Sequence, residues 1–461
     1  MNINQILVKT NATIKDTMRA IDKGAVKTVI IVDDSGTLCG LVTDGDIRRG
    51  ILNGVGVNEQ INTVMNKNPT HLKIGTTKEE IRACLKSKEI TGVPLVNEQN
   101  IVKDFAFLSE HANLSYFNMR TVSKRHLQRI LVIGGAGYIG SLLTRKLLAK
   151  GYKVTVLDKG IYGTESLDEI KTNPDLNIII GDTRHIEDVT AAISDVDAVV
   201  HLAELVGDPA CALSPASTQE INYFATRIIA EVCKHCQINR LVYASSCSVY
   251  GASTGDSLLT EESPLKPVSL YAKMKIASEH VLNEMQDSNF LPTILRFATV
   301  FGFSHRPRFD LVVNLLTAKA IKDGKITVFG GDQWRPNVHV SDIANTIISV
   351  LEAPIELVGG QVFNVGSEEN NHTINEIGKM VRESVPSAKL VIEEKDIDKR
   401  DYKVNFSKIK KILNIQMKVS VKDGIKEIKK ALQDCPTLDY CDKKFSNIKF
   451  LEHQLQNKFG N

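Results

Sequence analysis

At 461 residues the chain exceeds what one ordinary hydrophobic core organises, so two or more domains are expected. A hydrophobic fraction of 43% excludes a largely disordered chain, and a formal net charge of +3 gives no global reason to bind nucleic acid or a membrane surface. No apolar run reaches bilayer-spanning length and Met1–Thr10 lacks the pattern of a secretory signal, so a cytoplasmic protein with eight reduced cysteines is the expectation.

In chain order, two similar units come first. In the first, a helix runs to Lys23, followed by the strand Thr28–Val32, the turn Asp33-Asp34-Ser35-Gly36 and the segment Gly40–Arg49. The second opens at Asn68-Pro69-Thr70, has its helix from Lys78 to Ser87 and its strand at Val93–Val96. Paired units of this kind imply an α+β module with a shared core over residues 1–122. The pattern resembles a pair of CBS domains, with Thr43 and Asp46 at the family's signature positions. The resemblance implies adenine-nucleotide binding, Thr43 and Asp46 touching ribose and phosphate just before a helix whose free N–H groups suit an anion. Ile101–Ala106 stands where a second signature would lie, so at most one complete site is expected. Asp46 as a plain helix cap, in a module used only for dimerisation, is the competing interpretation.

From about residue 129 onward the pattern changes to alternating strands and helices. Apolar runs fall at 129–133, 153–157, 177–180, 198–202, 240–244 and 292–296, with helical stretches at 140–148, 218–236 and 271–285. That alternation predicts a Rossmann-type doubly wound parallel sheet over residues 129–461, completed by a small C-terminal substrate-binding subdomain. The Lys-rich stretch 408–430, with Ile and Leu interleaved, predicts amphipathic helices. Cys233-x-x-Cys236, inside a helical pattern, and the nearby Cys435 and Cys441 lack zinc-site spacing, so no metal is expected.

The strand 129–133 runs straight into Gly134-Gly135-Ala136-Gly137-Tyr138-Ile139-Gly140 and then a helix. Such a turn lets the backbone approach a pyrophosphate, whose charge rests on the helix N-terminus. Asp158 ends the next strand; it can accept both ribose hydroxyls of NAD and would repel the 2′-phosphate of NADP, although Lys159 beside it weakens that discrimination. Asp182, after the third strand, is either an adenine-side contact or a helix cap.

Gly134-x-x-Gly137-x-x-Gly140, Gly181-Asp182, His201-Leu202-Ala203, Ser245–Gly251 and Tyr271-x-x-x-Lys275, in this order, resemble the extended short-chain dehydrogenase/reductase family over residues 129–440. Tyr271 and Lys275 share one helix face, so the ammonium is expected to lower the phenol's pKa and make Tyr271 a proton carrier, with Ser246 hydrogen-bonding the same substrate hydroxyl. Lys273 faces elsewhere. Segments at 295–302, 334–342 and 398–401 resemble the nucleotide-sugar epimerases and dehydratases of that family. The resemblance implies that Arg335 and Arg400 grip a nucleotide diphosphate, for which guanidinium forks are suited. Arg400 paired with Asp398 or Asp401 is the alternative, and His339 and Asp342 are expected to hold their segment in place. Thr299 stands where many relatives have Asn, and Pro336 replaces a common Asp. At the positions where 4,6-dehydratases of the family carry Asp and Glu stand Cys247 and Ser248, which are poor acid/base substitutes. The expectation is therefore an NAD-dependent nucleotide-sugar epimerase working through a keto intermediate, at C4 for preference. A net dehydrogenase, reductase or dehydratase of the same family, or a non-catalytic NAD and adenine-nucleotide sensor, are the rivals. A homo-oligomer packed through the helices 218–236 and 271–285 is also implied by the family.

Overall fold

The computed structural model describes residues 3, 6–24, 27–108, 114–116, 127–252, 258–287, 289–394 and 400–459. Contacts divide the chain into two compact units, Met1–His126 and Leu127–Asn461.

In the first unit the same order of strand, helix, strand, strand occurs twice. Leu7–Lys9 pairs in parallel with Thr28–Val32, which pairs antiparallel with Leu38–Thr43. Leu72–Lys73, Gly92–Val96 and Val102–Leu108 repeat that pattern, and Leu114–Tyr116 adds an edge. Ile6, Ile30 and Val32 of the first repeat and Val96, Val102 and Phe105 of the second form one buried cluster. Neither repeat closes its apolar face alone.

The second unit is built on a seven-stranded sheet whose neighbouring strands are all parallel. Across the sheet the strands are Leu176–Ile180, Lys153–Asp158, Arg129–Ile133, Ala198–His201, Leu241–Ser246, Thr293–Phe297 and Val362–Val365. Helices cover both faces, so the strands read as continuous apolar runs. Alternation divides them: Ile130 and Val132 enter one core cluster, Leu131 and Ile133 the other. Each such fully buried side chain stabilises the fold by about 2 kcal/mol. Chain order reverses beside Arg129–Ile133, which opens a crevice at the carboxyl ends of the strands.

A smaller lobe follows. Thr299–Phe301 pairs with Trp334–His339, and Lys325–Phe329 with Lys389–Glu393. The helices Val312–Lys322, Ile374–Ser384 and Val421–Asp434 share a third core through Leu316, Ile377 and Ile428. The helix expected over 218–236 is interrupted: Glu220–Phe224 forms a π turn between Pro215–Gln219 and Ala225–His235. Its reason lies in tertiary contacts at Asn222. The Asn222 carbonyl accepts the hydroxyls of Thr226 and Ser278, and the Asn222 amide holds both backbone groups of Leu205. No helix among the described residues is long and apolar enough to cross a membrane.

Candidate active site

One cavity of about 630 Å³ lies at the crevice, lined from both the sheet and the smaller lobe. It is built first by the glycine turn. Gly134 adopts φ +86, and a Cβ there would sit 2.8 Å from the Ala203 nitrogen. At Gly140 a Cβ would stand 2.1 Å from the Gly134 carbonyl oxygen, whereas at Gly137 it would meet only that oxygen, at 3.2 Å. Turn and neighbouring strand are thus in backbone contact, and the helix Gly140–Ala149 begins at Ile139 without a side-chain cap. Its first N–H groups suit a phosphate.

Asp158 lines the same cavity and accepts hydrogen bonds from the Ala136 and Gly160 N–H groups at 3.0 and 2.9 Å. Burial raises its pKa against these bonds. Lys159 does not stand ready for a 2′-phosphate: its ammonium lies 2.8 Å from Asp182. Asp182 also takes Arg184 at 2.7 Å and is held well below the usual carboxylate range, burial opposing and the two cations prevailing. The helix that follows starts after His185, so Asp182 is not its cap. Tyr138, Ile139 and Ala203 complete this wall. An uncapped helix end and a glycine cradle beside the Asp158 carboxylate fit a dinucleotide.

The catalytic end sits on the helix Leu270–Glu284, whose N-cap Ser269 accepts the Ala272 N–H. A buried Arg296–Glu279 ion pair at 2.6 Å, with Ser245 donating to the same carboxylate, ties this helix to the sheet. Ser246, at the end of its strand, is close enough to Tyr271 to favour its phenolate, and all three of Ser246, Tyr271 and Lys275 line the cavity. Sequence spacing alone missed one group here: Glu204, directly after His201-Leu202-Ala203. Its side chain is only 2% exposed, lies 2.7 Å from the Lys275 ammonium and accepts the Tyr243 hydroxyl at 2.7 Å. Lys275 also donates to the Ala244 carbonyl.

Electrostatics here correct the expectation for Tyr271. Its pKa is raised well above the ordinary phenol value, first by burial of the phenol and next by the Glu204 carboxylate, with Ser246 opposing. Lys275 lies 5.6 Å from the Tyr271 ring centroid, but its charge is engaged by Glu204. Burial raises the Glu204 pKa too, opposed by Lys275. The tuning read from the four-residue spacing is therefore absent in the protein alone, and a positive nicotinamide is what would restore it.

On the lobe side, Thr299, Arg335 and Arg400 line the cavity. Arg335 is 4% exposed and donates to the Trp334 and Arg400 carbonyls. Asp398 and Lys399 lie outside the described residues. Arg400 pairs with Asp208 at 3.1 Å, and Asp401 accepts the Trp334 N–H. His339 bonds Glu427 at 2.8 Å and Asp342 receives the Lys418 and Val419 N–H groups, so both hold backbone in place. Cys247 is buried, donates to the Arg296 carbonyl and has its thiol pKa pushed up by burial; Ser248 donates to Ser246 at 2.9 Å. Cys233 is likewise buried, and no three metal-ligating side chains gather among the described residues.

In the first unit, Thr43 caps the helix Asp44–Leu52. Its hydroxyl accepts the Asp46 N–H, and the Asp46 carboxylate accepts the Thr43 N–H at 2.8 Å and hydroxyl at 2.7 Å. Arg49 covers the other carboxylate oxygen at 2.6 Å.

Residues 130–366 match the NAD dependent epimerase/dehydratase family, and residues 1–53 match the CBS domain. The first match spans more than half of the chain, and the chain belongs to that family. It is an NAD-dependent enzyme of the nucleotide-sugar epimerase/dehydratase type, with a CBS domain at its N-terminus. Among its relatives is the UDP-glucose 4-epimerase of Bacillus subtilis, 29% identical over 52% of this chain and 77% of that protein. Two solved structures each resemble it with a TM-score of 0.61 at 26% identity. One is the UDP-glucuronic acid 4-epimerase of Bacillus cereus with UDP-glucuronic acid and NAD, covering 67% of this chain and 99% of that one. The other is DesIV, a dTDP-glucose 4,6-dehydratase of Streptomyces venezuelae with NAD and TYD bound, covering 68% and 99%.

Proposed function

We propose that the enzyme is an epimerase of a nucleoside-diphosphate sugar, inverting one ring carbon, C4 for preference, through a transient keto sugar. The observation that carries this reading is the neighbourhood of Tyr271. A proton carrier and a hydroxyl partner line the cavity beside the glycine turn, while Cys247 and Ser248 are spent on the Arg296 carbonyl and on Ser246. No acid/base pair stands at the two positions where dehydration would use one.

Bound at the turn, NAD supplies a reversible hydride acceptor. Tyr271 removes the proton of the ring hydroxyl and later returns it, and Ser246 holds that hydroxyl in line. Lys275 stabilises the phenolate once the cavity is loaded. Arg335 and Arg400 hold the diphosphate, which anchors the sugar nucleotide while its ring turns over in the pocket. Asp158 and Asp182 take the adenosine end, with Gly134, Gly137, Gly140, Tyr138, Ile139 and Ala203 shaping the turn, and Thr299 borders the sugar nucleotide. The test is to incubate the purified protein with UDP-, GDP- and dTDP-sugars and follow the sugar proton couplings by NMR. Inversion without net NADH absorbance is expected; stoichiometric NADH, or a 4-keto-6-deoxy product, would replace this reading with the dehydrogenase or the dehydratase.

Residues 1–122 are proposed to act on the catalytic unit as a regulatory or oligomerising module, and the enzyme to be a homodimer at least. Deleting residues 1–122 is expected to change either the response of turnover to adenine nucleotides or the mass measured by light scattering. A deletion that changes neither would remove the module from both roles.

A further inference from the structure

Among the described residues, Arg306 is a buried cation with no carboxylate at ion-pair distance. It follows the Gly302 turn, is 8% exposed and lines the cavity, yet its Nε and Nη2 have no hydrogen-bond partner among the described residues. Its neighbour two residues on is different: Arg308 holds Asp310 through two bonds of 2.9 Å, and Asp310 also takes the Asn447 N–H. Asp158, the other carboxylate close enough to influence Arg306, is occupied by the Ala136 and Gly160 N–H groups. Burial and the charge of Arg308 push the Arg306 pKa down to about 10, which still leaves it a cation at neutral pH. A guanidinium enclosed in this way calls for an anion that the described residues do not provide.

The surroundings say which end of the cavity that anion occupies. Ser304 donates to the Tyr138 carbonyl at 2.5 Å and lies 3.2 Å from the Ser141 hydroxyl, so the segment bearing Arg306 is fastened onto the glycine turn. The guanidinium stacks 4.2 Å over the ring of Tyr162, which belongs to the loop just beyond Asp158. Tyr162 in turn packs on Phe450 of the C-terminal helix Asn447–Phe459, and Asn447 and Gln454 reach the carbonyls of Val206 and Ile161. Two more buried polar atoms on this side, the Tyr162 hydroxyl and the Asn447 Oδ1, also lack partners among the described residues. Arg335 and Arg400 come from other elements and are joined to each other and to Asp208.

We infer that Arg306, stacked on Tyr162 and braced by the C-terminal helix, is an anion clamp for the pyrophosphate of the dinucleotide, so that the cofactor is retained from one turnover to the next. The glycine turn offers backbone N–H groups to that pyrophosphate; Arg306 adds a paired-donor cation from the smaller lobe. The two lobes then hold the cofactor jointly.

The test measures binding, not turnover. Arg306→Gln and Arg306→Lys are prepared in the full-length chain, with Phe450→Ala as a variant that loosens the brace and leaves the charge. Each is stripped of nucleotide, and the affinity for NAD, its release rate and the affinity for UDP are measured. Arg306→Gln is expected to weaken NAD binding and speed its release at least tenfold, Arg306→Lys to lie between it and the wild type, and Phe450→Ala to speed release severalfold, with UDP affinity unchanged in all three. The stripped Arg306→Gln protein is expected to melt no lower than the wild type, since it removes an unpaired buried cation. NAD release unchanged by Arg306→Gln overturns the inference. Weakened UDP binding with NAD unaffected overturns it too and assigns Arg306 to the sugar nucleotide's diphosphate. A lower melting temperature of the stripped protein, with NAD affinity per folded molecule unchanged, makes the arginine a packing residue.

Discussion

Two pairs of residues, Thr43 with Asp46 and Tyr271 with Lys275, stand at signature positions of their respective units, and the structure treats them in opposite ways. Thr43 and Asp46 satisfy one another in a closed capping box, with Arg49 on the remaining carboxylate oxygen. Tyr271 and Lys275 are not closed on each other. The phenol has its pKa forced upward and the ammonium is held by Glu204, a group outside the motif. A motif whose members already complete each other's hydrogen bonds contributes helix stability as it stands. A motif whose phenol rests neutral, with its cation engaged by a group outside the motif, keeps its proton until a ligand changes the surrounding charge.

The largest effect that would sharpen this contrast is on Tyr271. Tyr271→Phe should lower turnover by about 10³-fold, the size of a positioned acid/base contribution, while NAD still binds; a loss below tenfold would remove Tyr271 from the chemistry. Next comes Gly140→Ala, whose Cβ would stand 2.1 Å from the Gly134 carbonyl oxygen. It should destabilise the catalytic unit by about 1–3 kcal/mol and abolish dinucleotide retention, as read by thermal melting and by nucleotide release on denaturation. Glu204→Gln should act through pH. The carboxylate raises the Tyr271 pKa, so its removal lowers that pKa and moves the ascending limb of the pH–rate profile to lower pH. A limb that stays in place would mean that Glu204 does not govern the phenol. The smallest effect belongs to the first unit: Thr43→Ala should cost about 1 kcal/mol as a lost cap, with turnover unchanged when no nucleotide is added. If AMP or ATP raises the melting temperature of the wild type but not of Asp46→Asn, the capping box opens for a ligand and the contrast breaks.

Much of this was legible along the chain because it is local. The glycine turn, Asp158 at a strand end and the Tyr271–Lys275 spacing are set by a few neighbouring residues and the elements that flank them. Their convergence on one cavity follows from parallel strands all ending on one edge of the sheet. Illegible features were those made by tertiary proximity. Glu204 stands one residue past His201-Leu202-Ala203, yet only the fold brings it against Lys275, 71 positions downstream by their numbering. Asp208 meets Arg400 across the cavity in the same way. The π turn at Glu220–Phe224 inserts a single residue into an otherwise regular helical pattern, which periodicity averages away. Arg306 did carry a signal, two arginines flanking a proline after the Gly302 turn, but charge alone could not say that one would be paired and the other left bare.

Tyr138, within the glycine turn, donates its hydroxyl to the Gly302 carbonyl at 2.7 Å, receives the Asn314 amide at 3.2 Å, and gives its own carbonyl to Ser304. The nucleotide-binding half and the specificity half are therefore not interchangeable parts. A chimera that grafts a relative's smaller lobe after Phe297 would keep every glycine and still sever three bonds to Tyr138 unless the graft brought matching groups at 302, 304 and 314. For anyone redesigning which sugar this scaffold accepts, these three positions mark where a modular exchange has to be cut.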